Sequence, residues 1–152
     1  MAERYFEDFT AGNIFESRGV TLSESQILDF ALTYDPQPFH IERPAAEASP
    51  YGGLIASGFQ TLALGFRMFY QENIINACSI GSPGMDELRW LAPVRPGDTL
   101  YSVAEVLETR PSRSKPDRGS MTVGFTIKNQ EGDAVMTFRT TMILLKRPDG
   151  GA

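Results

Sequence analysis

The stretch from Ile55 to Glu72 limits the possible folds of this chain more than any other. Ile55, Phe59, Leu62, Phe66 and Phe69 recur at helical spacing, and Ala56, Ala63, Leu64, Gly65 and Met68 make much of the remaining surface apolar as well. A helix over about Ser57 to Glu72, with only Gln60, Arg67 and Gln71 as a wetter stripe, is expected to be nearly enclosed by other structure. From Met85 the period changes to that of strands. Leu88, Trp90, Ala92 and Val94 share one side before the turn Pro93–Asp98, and Tyr101, Val103 and Leu107 mark a second strand with imperfect alternation. Val123, Phe125 and Ile127 alternate with Thr122, Gly124, Thr126 and Lys128. Asn129–Asp133 then forms a hairpin turn, and Met136, Phe138, Met142 and Leu144 complete a last strand. Strands that follow a greasy helix without further helices imply an α+β fold, a curved antiparallel sheet wrapped around that helix.

The material before the helix is shorter. Asn13 to Thr21 reads as a strand, and Ser23 with Gln26 offers a capping box in which Leu22 can staple against Ile27. Ile27, Phe30, Ala31 and Tyr34 then give a helix one buried face, and Arg43–Ala48 forms a brief helix closed by the breakers of Ser49–Gly53. The 152 residues suit a single domain over 1–152, with a frayed tail from Arg147. The start is charged and no run is long enough to span a bilayer, so no membrane association is expected and the default address is the cytoplasm. A net charge of −5 argues against nucleic-acid binding. With one histidine and one cysteine, a conventional zinc site has too few soft ligands.

Chemistry points to Tyr34-Asp35-Pro36-Gln37-Pro38-Phe39-His40. This segment holds the single histidine, an aspartate five residues before it, and two prolines that favour a rigid loop. An aspartate and a histidine can move protons near neutral pH. On their own, however, Asp35 reads more simply as a helix terminator and His40 as a packed, satisfied side chain.

The motifs together resemble the MaoC-like dehydratases, which include the (R)-specific enoyl-CoA hydratases and have the hot-dog fold. The family's Asp-x-Asn-Pro-aliphatic-His loop reads here Asp35-Pro36-Gln37-Pro38-Phe39-His40, with Ala46 at the small position that follows. Gly53-Leu54-Ile55-Ala56-Ser57-Gly58 resembles the entry to the central helix, Pro93-Val94-Arg95-Pro96-Gly97-Asp98 the Pro-Val-x-Pro-Gly-Asp turn, and Asn129–Gly132 the final hairpin. The order is the family's over almost the whole chain. Departures fall at Tyr34 for Gly, Gln37 for Asn, Phe39 for a smaller aliphatic, and Phe66 where the hydratases carry a Ser that orients the aspartate.

This resemblance implies hydration of an enoyl thioester, or dehydration of the 3-hydroxyacyl thioester, in fatty acid metabolism. Asp35 and His40 would act on one water, and the Gly58 N–H at the helix N-terminus would polarise the thioester carbonyl. Gln37 and Ser57 are expected to bind substrate, which is acyl-CoA or an acyl-carrier-protein thioester; no cofactor is expected. The basic segment Arg110–Gly119 is most simply a solvated hairpin, and its functional reading is a clamp in which Arg113 and Arg118 hold the phosphates of coenzyme A. An open sheet edge implies at least a homodimer. Two alternatives share the fold: an acyl-CoA thioesterase, and a non-catalytic acyl-thioester-binding protein.

Overall fold

A computed structural model describes residues 2–149; the last three residues of the expected frayed tail, 150–152, lie outside the described residues. A short 3-10 turn at Phe6–Asp8 leads to two small strands, β1 (Ile14–Glu16) and β2 (Val20–Thr21). Helices α1 (Glu24–Tyr34), α2 (Pro38–Ile41), α3 (Arg43–Ala48) and α4 (Gly58–Tyr70) follow, and then strands β3 (Gly84–Trp90), β4 (Thr99–Pro111), β5 (Arg118–Lys128) and β6 (Ala134–Leu145). The sheet is antiparallel in the order β1-β4-β5-β6-β3, with β2 also on β4. This is the expected α+β hot-dog arrangement, with α4 seated on the inner face of the sheet.

The core forms where α4 meets the sheet. Met68 and Phe69 are buried among Val106, Val123, Phe125, Ile127, Met136 and Phe138, and the rings of Phe69 and Phe125 meet edge to face at 5.1 Å. Gly65 allows this close approach. A Cβ there would lie 2.8 Å from Ile127 Cδ1, so a side chain would push the helix off the sheet.

Several expectations change in the folded chain. The strand anticipated over Asn13–Thr21 is two pieces, because Ile14 pairs with Glu105 while Val20 pairs with Leu100, a one-residue offset across Ser17–Gly19. Gly19 fits there because Tyr101 covers it; a Cβ would stand 2.6 Å from the ring. On β4 the inward residues are Leu100, Ser102, Ala104 and Val106, so Tyr101, Val103 and Leu107 face the other side. The strand expected to continue to Val94 stops at Trp90. β3 is an edge strand bulged between Asp86 and Arg89, and most of its residues are exposed.

The helices also differ. Ser23 and Gln26 form the predicted capping box on α1, and Ile27 and Ala31 are buried, but Tyr34 is 71% exposed and stacks loosely on Phe30. On α4 the buried residues are Gln60, Thr61, Gly65, Met68 and Phe69, whereas Phe59 and Phe66 are 58% and 42% exposed. The sheet covers only one side of this helix. Its enclosure is therefore incomplete within one chain, and Gln60 is buried because its amide reaches the Gln26 carbonyl at 3.0 Å.

Candidate active site

The Asp-Pro-Gln-Pro segment is a break between two helices, followed at once by a helical turn. Asp35 caps the C-terminus of α1, its N–H bonded to the Ala31 carbonyl. Pro38 then opens α2 as its first residue, where its fixed φ suits a helix and its missing N–H removes no bond. The rigid loop expected up to His40 is therefore extended only at Asp35–Gln37, and His40 stands on a helical turn.

That geometry returns the imidazole to the carboxylate. His40 Nε2 lies 3.2 Å from Asp35 Oδ2, and both side chains are buried. His40 Nδ1 is 2.7 Å from the Ile55 carbonyl. A carbonyl only accepts, so Nδ1 carries a hydrogen and Nε2 is the nitrogen turned to Asp35. The imidazole and the Phe39 ring meet at a steep angle with centroids 4.6 Å apart, and the Phe39 ring is in turn 5.3 Å from Tyr51.

Asp35 accepts two further bonds. Gln37 Nε2 donates to Oδ1 at 2.8 Å and Ser57 Oγ donates to Oδ2 at 2.7 Å. Burial pushes the carboxyl upward, but the bonds from Gln37 and Ser57 and the electrostatic pull of His40 outweigh it. Asp35 is held below the ordinary carboxylate value and is ionised at neutral pH. Ser57 is fully buried and also caps α4, receiving the Phe59 N–H at 3.3 Å. The orienting hydroxyl that the Phe66 departure removes is thus supplied by Ser57, while Phe66 sits on the exposed side of α4. Gln37 and Ser57, expected at the substrate, both hold Asp35; Gln37 additionally faces the cavity.

The pair opens into a cavity of about 450 Å³ bounded by Phe39, Tyr51, Phe59, Trp90, Leu91 and Val135, with Asp35, Gln37, His40 and Thr61 as its polar side chains. Gly58 lines it too. As the first residue of α4 its N–H has no partner within the helix. Trp90 lies across this point: its Nε1–H donates to the Gly58 carbonyl at 3.0 Å, and a Cβ on Gly58 would collide with the indole. Sequence periodicity assigned Trp90 to a strand face and missed this contact, for which only the rarity of the residue was a signal.

Arg113 and Arg118 are not brought to the cavity. Arg118 pairs with Leu145 at the end of β6, whereas the cavity touches Val135 at its start. The length of the strand between them is roughly 30 Å at ~3.3 Å per residue. Arg118 is instead engaged by Asp117, with Nε 2.9 Å from Oδ1.

The chain as a whole is similar to known proteins over most of its length. The sequence profile of the MaoC like domain matches residues 9–129. The chain belongs to the MaoC-like dehydratase family. The MaoC-like dehydratase of Rhodospirillum rubrum is 36% identical and superposes with a TM-score of 0.89 over 95% of this chain and 99% of that one. YdeM of Bacillus subtilis is 32% identical over 93% of this MaoC-like chain and 98% of its own length. The 3-hydroxyacyl-thioester dehydratase Z of Mycobacterium tuberculosis is 30% identical, with 74% of this chain and 72% of that protein aligned.

Proposed function

We propose that this MaoC-like domain is an (R)-specific hydratase/dehydratase acting between a 2-enoyl thioester and its 3-hydroxyacyl form. The observation that carries the reading is the buried Asp35–His40 pair, 3.2 Å apart at the wall of an apolar cavity that Gly58, the first residue of α4, also lines. In hydration, water held by the pair attacks C3 and gives up a proton to it as the C3–O bond forms. The π electrons move to the thioester oxygen, where the Gly58 N–H and the N-terminus of α4 stabilise the enolate. Collapse of the enolate takes a proton from the pair onto C2. Atoms and charge balance with no cofactor, and Asp35 and His40 act as one coupled unit.

The acyl group is uncharged in this reading, because the cavity lining contains no Lys or Arg and does contain the Asp35 carboxylate. The partner is a second copy of the chain. Phe59, Phe66 and Tyr70 expose an apolar stripe on α4, and β3 presents an unpaired edge beside it through the Phe59–Trp90 contact at 6.1 Å. The test is crotonyl-CoA: a hydratase removes the conjugated absorbance and releases no thiol. Thiol release would instead support a thioesterase, and binding without turnover a non-catalytic acyl-binding protein.

A further inference from the structure

A thioester arm that enters the cavity must cross its rim, and Arg95 is a fixed cation beside that rim. The cavity is walled by two connectors, one from α3 to α4 and the other from β3 to β4, tied together by the Ala56 N–H to Val94 carbonyl bond at 2.8 Å. Arg95 follows Val94 and reaches across. Its guanidinium donates to the carbonyl of Tyr51, a residue that lines the cavity, and a Cβ on Gly53 would lie 3.5 Å from its Nη1.

Arg95 has no carboxylate partner among the described residues, in a chain where acids outnumber Lys and Arg by 19 to 14. The nearby acid is otherwise engaged: Asp98 Oδ2 accepts the backbone N–H of Arg95 at 2.8 Å and Oδ1 accepts from Gln130 at 3.0 Å. Of the other basic residues, Arg43 is spent on Glu24 at 2.6 Å, Arg89 on β3 folds back on the Leu88 carbonyl at 3.0 Å, and the Arg113–Arg118 hairpin is at the far end of the sheet. The Tyr51 carbonyl orients the guanidinium and takes no charge from it, so its remaining donors face solvent at the mouth. A planar donor fork of this kind matches a phosphate oxygen pair.

We propose that Arg95 docks the phosphate of the 4'-phosphopantetheine arm, the group common to coenzyme A and acyl carrier protein. The inference rests on the thioester reading of the cavity but is tested apart from it. Three crotonyl thioesters separate the roles: those of pantetheine, of 4'-phosphopantetheine and of coenzyme A. Arg95→Gln keeps a donor for Tyr51 and loses the charge. It is expected to raise KM about tenfold for the phosphorylated thioesters, in line with a charge-assisted bond, and to leave the pantetheine thioester unchanged. A crotonyl group on acyl carrier protein carries the same phosphate and is expected to weaken alike.

Equal losses on all three thioesters would show that Arg95 only ties the cavity walls, and an effect confined to coenzyme A would assign it to the nucleotide; either result overturns the proposal, as does no effect. If no thioester is turned over, the hydratase reading fails. Binding then decides the inference, because Trp90, the only tryptophan, reports from the cavity. Tighter quenching by free 4'-phosphopantetheine than by pantetheine, lost in Arg95→Gln, is the expected result, and equal quenching overturns it.

Discussion

Replacing Ser57 by alanine removes one of the bonds that hold the Asp35 carboxyl down. The Ser57 hydroxyl donates to Oδ2 at 2.7 Å and is fully buried, so no solvent replaces it. A hydrogen bond to a charged group contributes about 1.5–3 kcal/mol. The same oxygen caps α4 through a long 3.3 Å bond from Phe59, so the cap adds the lower part of the ~0.5–2 kcal/mol range. To the extent that the bond to Asp35 strengthens at the transition state, its loss lowers kcat, by up to about 100-fold at ~1.36 kcal/mol per tenfold. One of the contacts that hold the Asp35 carboxyl down is also gone, so its pKa rises and the acid limb of the kcat/KM profile moves to higher pH. A structural cap alone would lower thermal stability and leave that limb in place. The assay is the pH profile for crotonyl-CoA in wild type, Ser57→Ala and Ser57→Thr, the last restoring both limb and rate. An Ala variant with unchanged kcat and an unmoved limb would refute the assignment of Ser57 to Asp35.

The remaining predictions address other parts of the site and fold. The folded-state pKa of Asp35 lies below its unfolded value, so its ionisation stabilises the fold above the ordinary value of 3.8, and this contribution is lost as pH falls through the depressed value. The stability gap between wild type and Asp35→Asn, measured by denaturant, should therefore close in acid. Gly58→Ala places a methyl group against the Trp90 indole and should cost about 1–3 kcal/mol by overpacking, with activity lost; the melting temperature and turnover of the Gly58→Ala/Trp90→Phe double variant show how much is steric. Burial pushes the Cys78 thiol up to about 11, so iodoacetamide should leave the native protein unmodified at pH 8 and label it once unfolded. Phe66→Glu on the exposed side of α4 should give a monomer by light scattering, with the chain still folded by circular dichroism.

What was legible in the sequence was whatever local patterning alone decides. The α1 capping box follows from Ser23 and Gln26, and the place of Asp35 follows from Asp-Pro, because neither depends on distant residues. The pairing of Asp35 with His40 was legible only as a motif, since its 3.2 Å separation arises from Pro38 starting a helical turn that no apolar period announces. Ser57 looked like a substrate ligand because sequence order says nothing about a contact with a carboxylate on another helix. Its role depends on how α1 and α4 are set against each other. The basic hairpin left its two readings open for a related reason: a count of charges does not say which end of a strand they occupy, and Arg118 opens β5 opposite Leu145, the length of β6 from Val135.

The same limit explains α4. Its sequence is apolar nearly all round, and one sheet can bury only one side, so Phe59 and Phe66 remain half exposed beside the open edge of β3. A stripe that the sequence makes apolar and the chain's own sheet leaves uncovered asks for apolar cover from outside the chain. Because Phe59 belongs to both the stripe and the cavity wall, whatever covers the stripe also touches a wall of the cavity. Substitutions on that side of α4 should then alter turnover as well as assembly, whereas substitutions in the far basic hairpin should alter neither.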